Sequence, residues 1–124
     1  MRILVGLPII ALSLALTTQS RSQANAPSGP DCSGRWPTNA AFAELKKQGL
    51  TNNAKVDFSK TKTTRLASEK IGPDLYRQVY DVQFTEKSGN LVEAIAVHNA
   101  SSQECSMTSP EIYIVSKHLN RGGQ

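Results

Sequence analysis

The sequence predicts an α+β fold: one short N-terminal helix packed on an antiparallel meander of about four strands, with one disulfide. Three observations carry this. Apolar residues recur at helical spacing in a single segment, Asn39–Gln48, while period-two alternation dominates after Thr51. Two cysteines, Cys32 and Cys105, stand near opposite ends of the chain that remains once an export leader is set aside.

Residues 1–24 have the three-part form of a cleavable secretory signal peptide. Met1-Arg2 is a short positive start, and the 14 residues from Ile3 to Leu16 are apolar apart from Gly6, Pro8 and Ser13. Thr17 to Ala24 is polar and ends in small residues, so cleavage after Ala24 places Ser22 and Ala24 where a signal peptidase needs small side chains. The apolar run is shorter than the roughly 20 residues of a spanning helix, which argues against a retained anchor. The expected product is therefore exported, periplasmic or secreted. Its 100 residues suffice for one small domain and carry 12 basic against 10 acidic side chains. That balance is too mild to imply nucleic acid.

In an oxidising compartment, Cys32 and Cys105 most simply pair. There is no Cys-x-x-Cys, and neither cysteine has a second ligand at zinc spacing. A free thiol nucleophile is the alternative.

Residues 25–37 are rich in Ser, Gly and Pro and read as an extended arm pinned by Cys32, with Trp36 at its end covering the core edge. Residues 38–119 form the single domain. Thr38 or Asn39 is expected to cap the helix, with Ala41, Phe42 and Leu45 on one face and Lys46 and Lys47 in the last turn. Gly49 supplies the left-handed stop, after which Leu50 folds back on Leu45. Lys55–Ala67, dense in Lys and Thr, holds an edge strand. Gly72-Pro73-Asp74 is a turn. In Leu75–Thr85, Tyr76, Tyr80, Val82 and Phe84 share one face. A glycine-bearing hairpin loop, 86–90, leads to the strand Leu91–His98, with Leu91, Ile95 and Val97 on one face and the smaller Ala94 and Ala96 on the other. Met107 and Ile112–Val115 close the sheet around a break at Pro110, and residues 120–124 are read as a disordered tail.

In element order only, across residues 39–118, the chain resembles the cystatin-like class of small exported α+β domains. The inhibitory Gln-x-Val-x-Gly loop of cystatins is absent, since Gln78-Val79 lies mid-strand with no glycine following. The resemblance implies the architecture and not protease inhibition. More loosely the chain resembles short exported proteins of proteobacteria, a likeness that supplies no catalytic residue.

Catalysis needs a nucleophile or base, a group to orient it, and a pocket. His98 and His118 follow or end strands, where a histidine is expected to be solvated or capping, and no motif places a partner beside either. No serine lies in a Gly-x-Ser-x-Gly context, and no glycine-rich phosphate loop or His-Glu-x-x-His pair occurs. No cofactor and no metal site is expected. One asymmetry remains: between Glu44 and Lys70, seven basic residues face three acidic ones. Lys55, Lys60, Lys62 and Arg65 are the candidate residues for an anionic partner, whether an acidic protein, a polysaccharide or a lipid headgroup surface. The competing explanation is an edge strand kept from aggregating by its lysines. No aromatic residues interleave with these cations, which disfavours nucleic acid.

The leading expectation is a non-catalytic binding or interaction module of the bacterial periplasm or cell exterior. The alternatives are a small thiol- or serine-dependent hydrolase using His98 and a purely structural envelope accessory.

Overall fold

The computed structural model describes Gly6 and residues 28–115; the rest of the expected signal peptide, the start of the expected arm, His118 and the expected tail lie outside the described residues. Helix α1 (Trp36–Lys47) precedes a single 3-10 turn (Phe58–Lys60) and four strands: β1 (Lys62–Gly72), β2 (Leu75–Thr85), β3 (Leu91–Ala100) and β4 (Glu111–Val115). The strands form one antiparallel meander in the order β1-β2-β3-β4, with α1 packed on one face. A small α+β fold of one helix, four strands and one disulfide is thus established. No helix among the described residues is long and apolar enough to cross a membrane.

Helix α1 begins three residues earlier than the apolar spacing predicts. Arg35 is the N-cap and makes no side-chain capping bond. Pro37 occupies the first turn, where its missing N–H costs nothing. Thr38, expected as a cap, lies inside the helix, and its hydroxyl accepts a hydrogen bond from the Gly34 N–H at 3.0 Å. The C-terminus follows expectation. Gly49 takes φ +73°, its N–H donates to Lys46 O, and Leu50 N–H donates to Leu45 O at 3.0 Å.

The strand register shows which face is buried. Tyr80, Val82 and Phe84 of β2 lie opposite Ala96, Ala94 and Val92 of β3 and point toward the helix. Ala94, Ala96 and Ala100 are fully buried, whereas Ile95 and Val97 face away from α1 and are only half-buried. Small side chains on β3 let Ala41 and Leu45 approach the sheet closely, and each large side chain so buried contributes about 1.5–3 kcal/mol.

The edge strand expected within Lys55–Ala67 begins at Lys62 and runs on to Gly72, while residues 55–61 hold an isolated bridge from Val56 to Glu86 and the 3-10 turn. Asp57 starts that turn by accepting the Ser59 N–H, a local bond that competes with strand pairing. Met107 is exposed and outside β4, where Pro110 delays the closing strand to Glu111.

Candidate functional site

The disulfide joins Cys32 to Cys105 across 73 residues, with Cα atoms 5.8 Å apart, and no free cysteine remains among the described residues. Both thiols on which a cysteine nucleophile would depend are therefore bonded to each other. His98, expected to be solvated, is 2% exposed. The strand runs two residues beyond it, and His98 falls on the same inward row as Ala94, Ala96 and Ala100. Its ring lies 5.5 Å from that of Tyr80. Burial pushes its pKa below the ordinary value of 6.5, outweighing the Asn99 and Cys105 carbonyls that favour the charged form. The residue is neutral at pH 7 and buried beside Tyr80.

Around it runs a buried chain of hydrogen bonds that fastens the arm. Cys32 N–H donates to the Tyr80 hydroxyl at 2.8 Å, and that hydroxyl donates to Gln78 Oε1 at 2.8 Å. Gln78 Nε2 in turn donates to Pro30 O at 2.7 Å. Gly29, at φ +87°, crosses the Tyr76 ring so closely that an added Cβ would sit 2.7 Å from it. Gln78 and Tyr80 hold the backbone of the arm and are not displayed to a substrate.

Of the four candidate basic residues, Lys62 and Arg65 lie on opposite faces of β1. Arg65 points to the helix side of β1, where its guanidinium donates to Pro30 O at 2.8 Å and Gly29 O at 3.2 Å. Lys62 pairs with Gln83 on the opposite face. A bulge between Arg65 and Ala67 shifts the register farther along the strand. Lys60 lies 4.0 Å from Asp57 in an exposed pair of little energetic weight. Lys55 sits by the β2–β3 hairpin, with its carbonyl accepting the Lys87 N–H at 2.7 Å.

An open cleft separates α1 from the start of β1. Its volume is about 470 Å³, and Ser33, Gly34, Thr38, Asn39, Phe42, Phe58, Thr61, Thr63 and Phe84 line it. The two sides differ in chemistry. Phe42 packs edge-on against Phe58 at 5.1 Å and tilted against Phe84 at 5.4 Å, so three rings form the floor. Phe84 is buried, whereas Phe58 is 48% exposed. The polar wall carries the Thr38 and Thr63 hydroxyls, hydrogen-bonded to each other at 2.7 Å. Beside them, Thr61 Oγ1 is shielded from solvent and makes no hydrogen bond to the protein. Lys46 Nζ lies 5.6 Å from the centroid of the Phe42 ring, adding a cation beside the aromatic floor.

Glu86 is a further residue that sequence reasoning missed. The hairpin loop predicts it exposed, yet it is 8% exposed. Its carboxylate accepts hydrogen bonds from Asn90 Nδ2 at 2.8 Å and the Thr51 hydroxyl at 2.9 Å, and these hold its pKa below the ordinary value. It anchors the hairpin to the segment after α1 and thereby steadies residues 55–61 at one end of the cleft.

Among the described residues, no three His, Cys, Asp or Glu side chains come together as a metal site requires. Comparison with protein families, with curated proteins and with solved structures gives no match.

Proposed function

We propose that the protein is an exported, non-catalytic binding module whose ligand sits in the cleft between α1 and the start of β1. The observation that carries this reading is the cleft itself: an open depression with a three-ring floor and a wall of hydroxyls. A mostly preformed concavity with an apolar base and a few convergent polar groups is the usual form of a small-ligand site. The leader and the disulfide support export, because disulfides persist in oxidising compartments.

The hydrolase alternative finds less support. Its thiol is tied up in the disulfide, and His98 is buried. For an anionic partner the placement of Lys62 and Arg65 on opposite faces of β1 argues against one flat basic surface, whereas Lys46 stands 5.6 Å from the cleft-lining Phe42 ring.

The test is cosedimentation or retention on acidic polysaccharide and on anionic vesicles at low and high salt. The parent is compared with Phe58→Ser and with Lys60→Glu. The cleft reading expects binding that Phe58→Ser removes and that salt weakens only in part. Binding that Lys60→Glu and salt abolish while Phe58→Ser leaves it intact would place the ligand on the exposed charges instead. A purely structural accessory would be retained on none of these supports.

A further inference from the structure

The chemistry of the two walls narrows the ligand, on the premise that the cleft is the binding site. An alkyl chain fits the aromatic floor but would cover the Thr38–Thr63 hydroxyls of the facing wall without offering them a partner, which is unfavourable for polar groups taken out of water. A highly charged peptide fits the lysines but offers nothing flat to the rings. A sugar ring has both surfaces: an apolar C–H face that stacks on an aromatic side chain and a rim of hydroxyls that donate and accept. The Thr38–Thr63 pair presents hydroxyls of the same kind along the facing wall. The volume of about 470 Å³ lies within the range of small-ligand sites.

Charge selects among sugars. Lys46 stands beside the Phe42 ring, and Lys60 adjoins Thr61 in the chain with a solvent-exposed ammonium. We infer that the cleft takes a carboxylated sugar ring, such as one unit of an acidic polysaccharide. The ring lies on Phe58, the exposed member of the edge-on pair, its hydroxyls meet Thr63, and its carboxylate is turned toward Lys46 or Lys60.

Isothermal titration of the oxidised protein at low salt tests this with five probes: an oligogalacturonate, free galacturonic acid, a dextran oligomer of equal length, polyglutamate, and phosphatidylglycerol vesicles. The oligogalacturonate should bind, with the dextran weaker and polyglutamate and vesicles weaker still. Phe58→Ala should weaken oligogalacturonate binding about tenfold, the scale of one lost aromatic contact. Thr63→Val should weaken it roughly fivefold, because it removes a hydroxyl of the facing wall. Free galacturonic acid binding as tightly as the oligomer would identify a single sugar acid as the ligand, with the cleft chemistry unchanged. Equal affinity for dextran would overturn the requirement for a carboxylate. Tighter binding of polyglutamate or vesicles, indifferent to Phe58→Ala and Thr63→Val, would overturn both the saccharide and the cleft as its site while leaving a non-catalytic anion-binding module. Absence of binding by every probe at low salt would overturn the saccharide inference and leave the cleft reading to the other measurements.

Discussion

Reduction of the Cys32–Cys105 disulfide should destabilise the domain in a way that can be worked from the structure. The bond closes a loop across 73 residues, for which the chain-entropy relation gives about 15 cal/mol/K, or about 4.4 kcal/mol at 25 °C. At ~1–2 kcal/mol per molar urea, this lowers the unfolding midpoint by roughly 2–4 M. A second effect is local. Residues 28–35 are held by the disulfide and by hydrogen bonds to Tyr80, Gln78 and Arg65, each worth about 0.5–1.5 kcal/mol net. With the covalent tie gone, these few bonds must hold the arm alone, so it should loosen before the sheet unfolds. Trp36, whose indole N–H donates to Thr108 O at 3.2 Å near Cys105, reports on that end of the molecule, while far-UV circular dichroism reports on the sheet. The two transitions should coincide in the oxidised protein and separate after reduction, with early proteolytic cuts between Gly29 and Gly34. Equal midpoints in both redox states, with unchanged proteolysis, would refute the reasoning.

Acid should weaken the fold in two stages. His98 has a folded pKa below its unfolded 6.5, so the unfolded chain binds the extra proton and stability falls as pH drops below about 6.5. Glu86 has a lowered pKa, so its stabilisation is present above 4.5 and lost as pH falls through its folded value. Urea midpoints measured from pH 8 to 3 should show both declines, His98→Gln flattening the first and Glu86→Gln the second; parallel curves for parent and variants would sink this assignment. Gly29→Ala should cost about 1 kcal/mol or more, since it adds a Cβ at positive φ against the Tyr76 ring, and should raise arm proteolysis; an unchanged midpoint would contradict the close crossing. Protein recovered from its native envelope or culture fluid should begin near Asn25 by N-terminal sequencing, and an intact Met1 in alkali-washed membranes would contradict export as a cleaved product.

Much of the architecture was legible because local chemistry and tertiary packing agree. Alternation over Leu75–Thr85 matches β2 residue for residue, and Gly49 and Pro73-Asp74 mark real punctuation in the chain. The disulfide followed from compartment and cysteine count. The first turn of α1 was read as arm because Ser, Gly and Pro surround Trp36, although Pro37 was itself a start signal. His98 was misplaced because the strand was stopped one turn of the pleat too soon; the row Ala94-Ala96-His98 already carried its inward phase. The candidate basic residues are close in sequence. A strand, however, sends Lys62 and Arg65 to opposite faces, and the arm then engages Arg65. The cleft had no local signature. Its walls come from residues 33–42, 58–63 and 84, brought together only by packing of α1 and the 3-10 turn against the sheet.

The central claim, that the protein holds a ligand in the α1–β1 cleft, is tested most directly by amide chemical-shift mapping of the ¹⁵N-labelled, oxidised protein during titration with oligogalacturonate. The account predicts shifts concentrated at Gly34, Asn39, Phe42, Phe58, Thr61 and Thr63, all saturating with one affinity. Shifts confined to the outward row of Gln83, Glu93 and Ile95, or scattered over Lys55 and Lys62 without saturation, would contradict it.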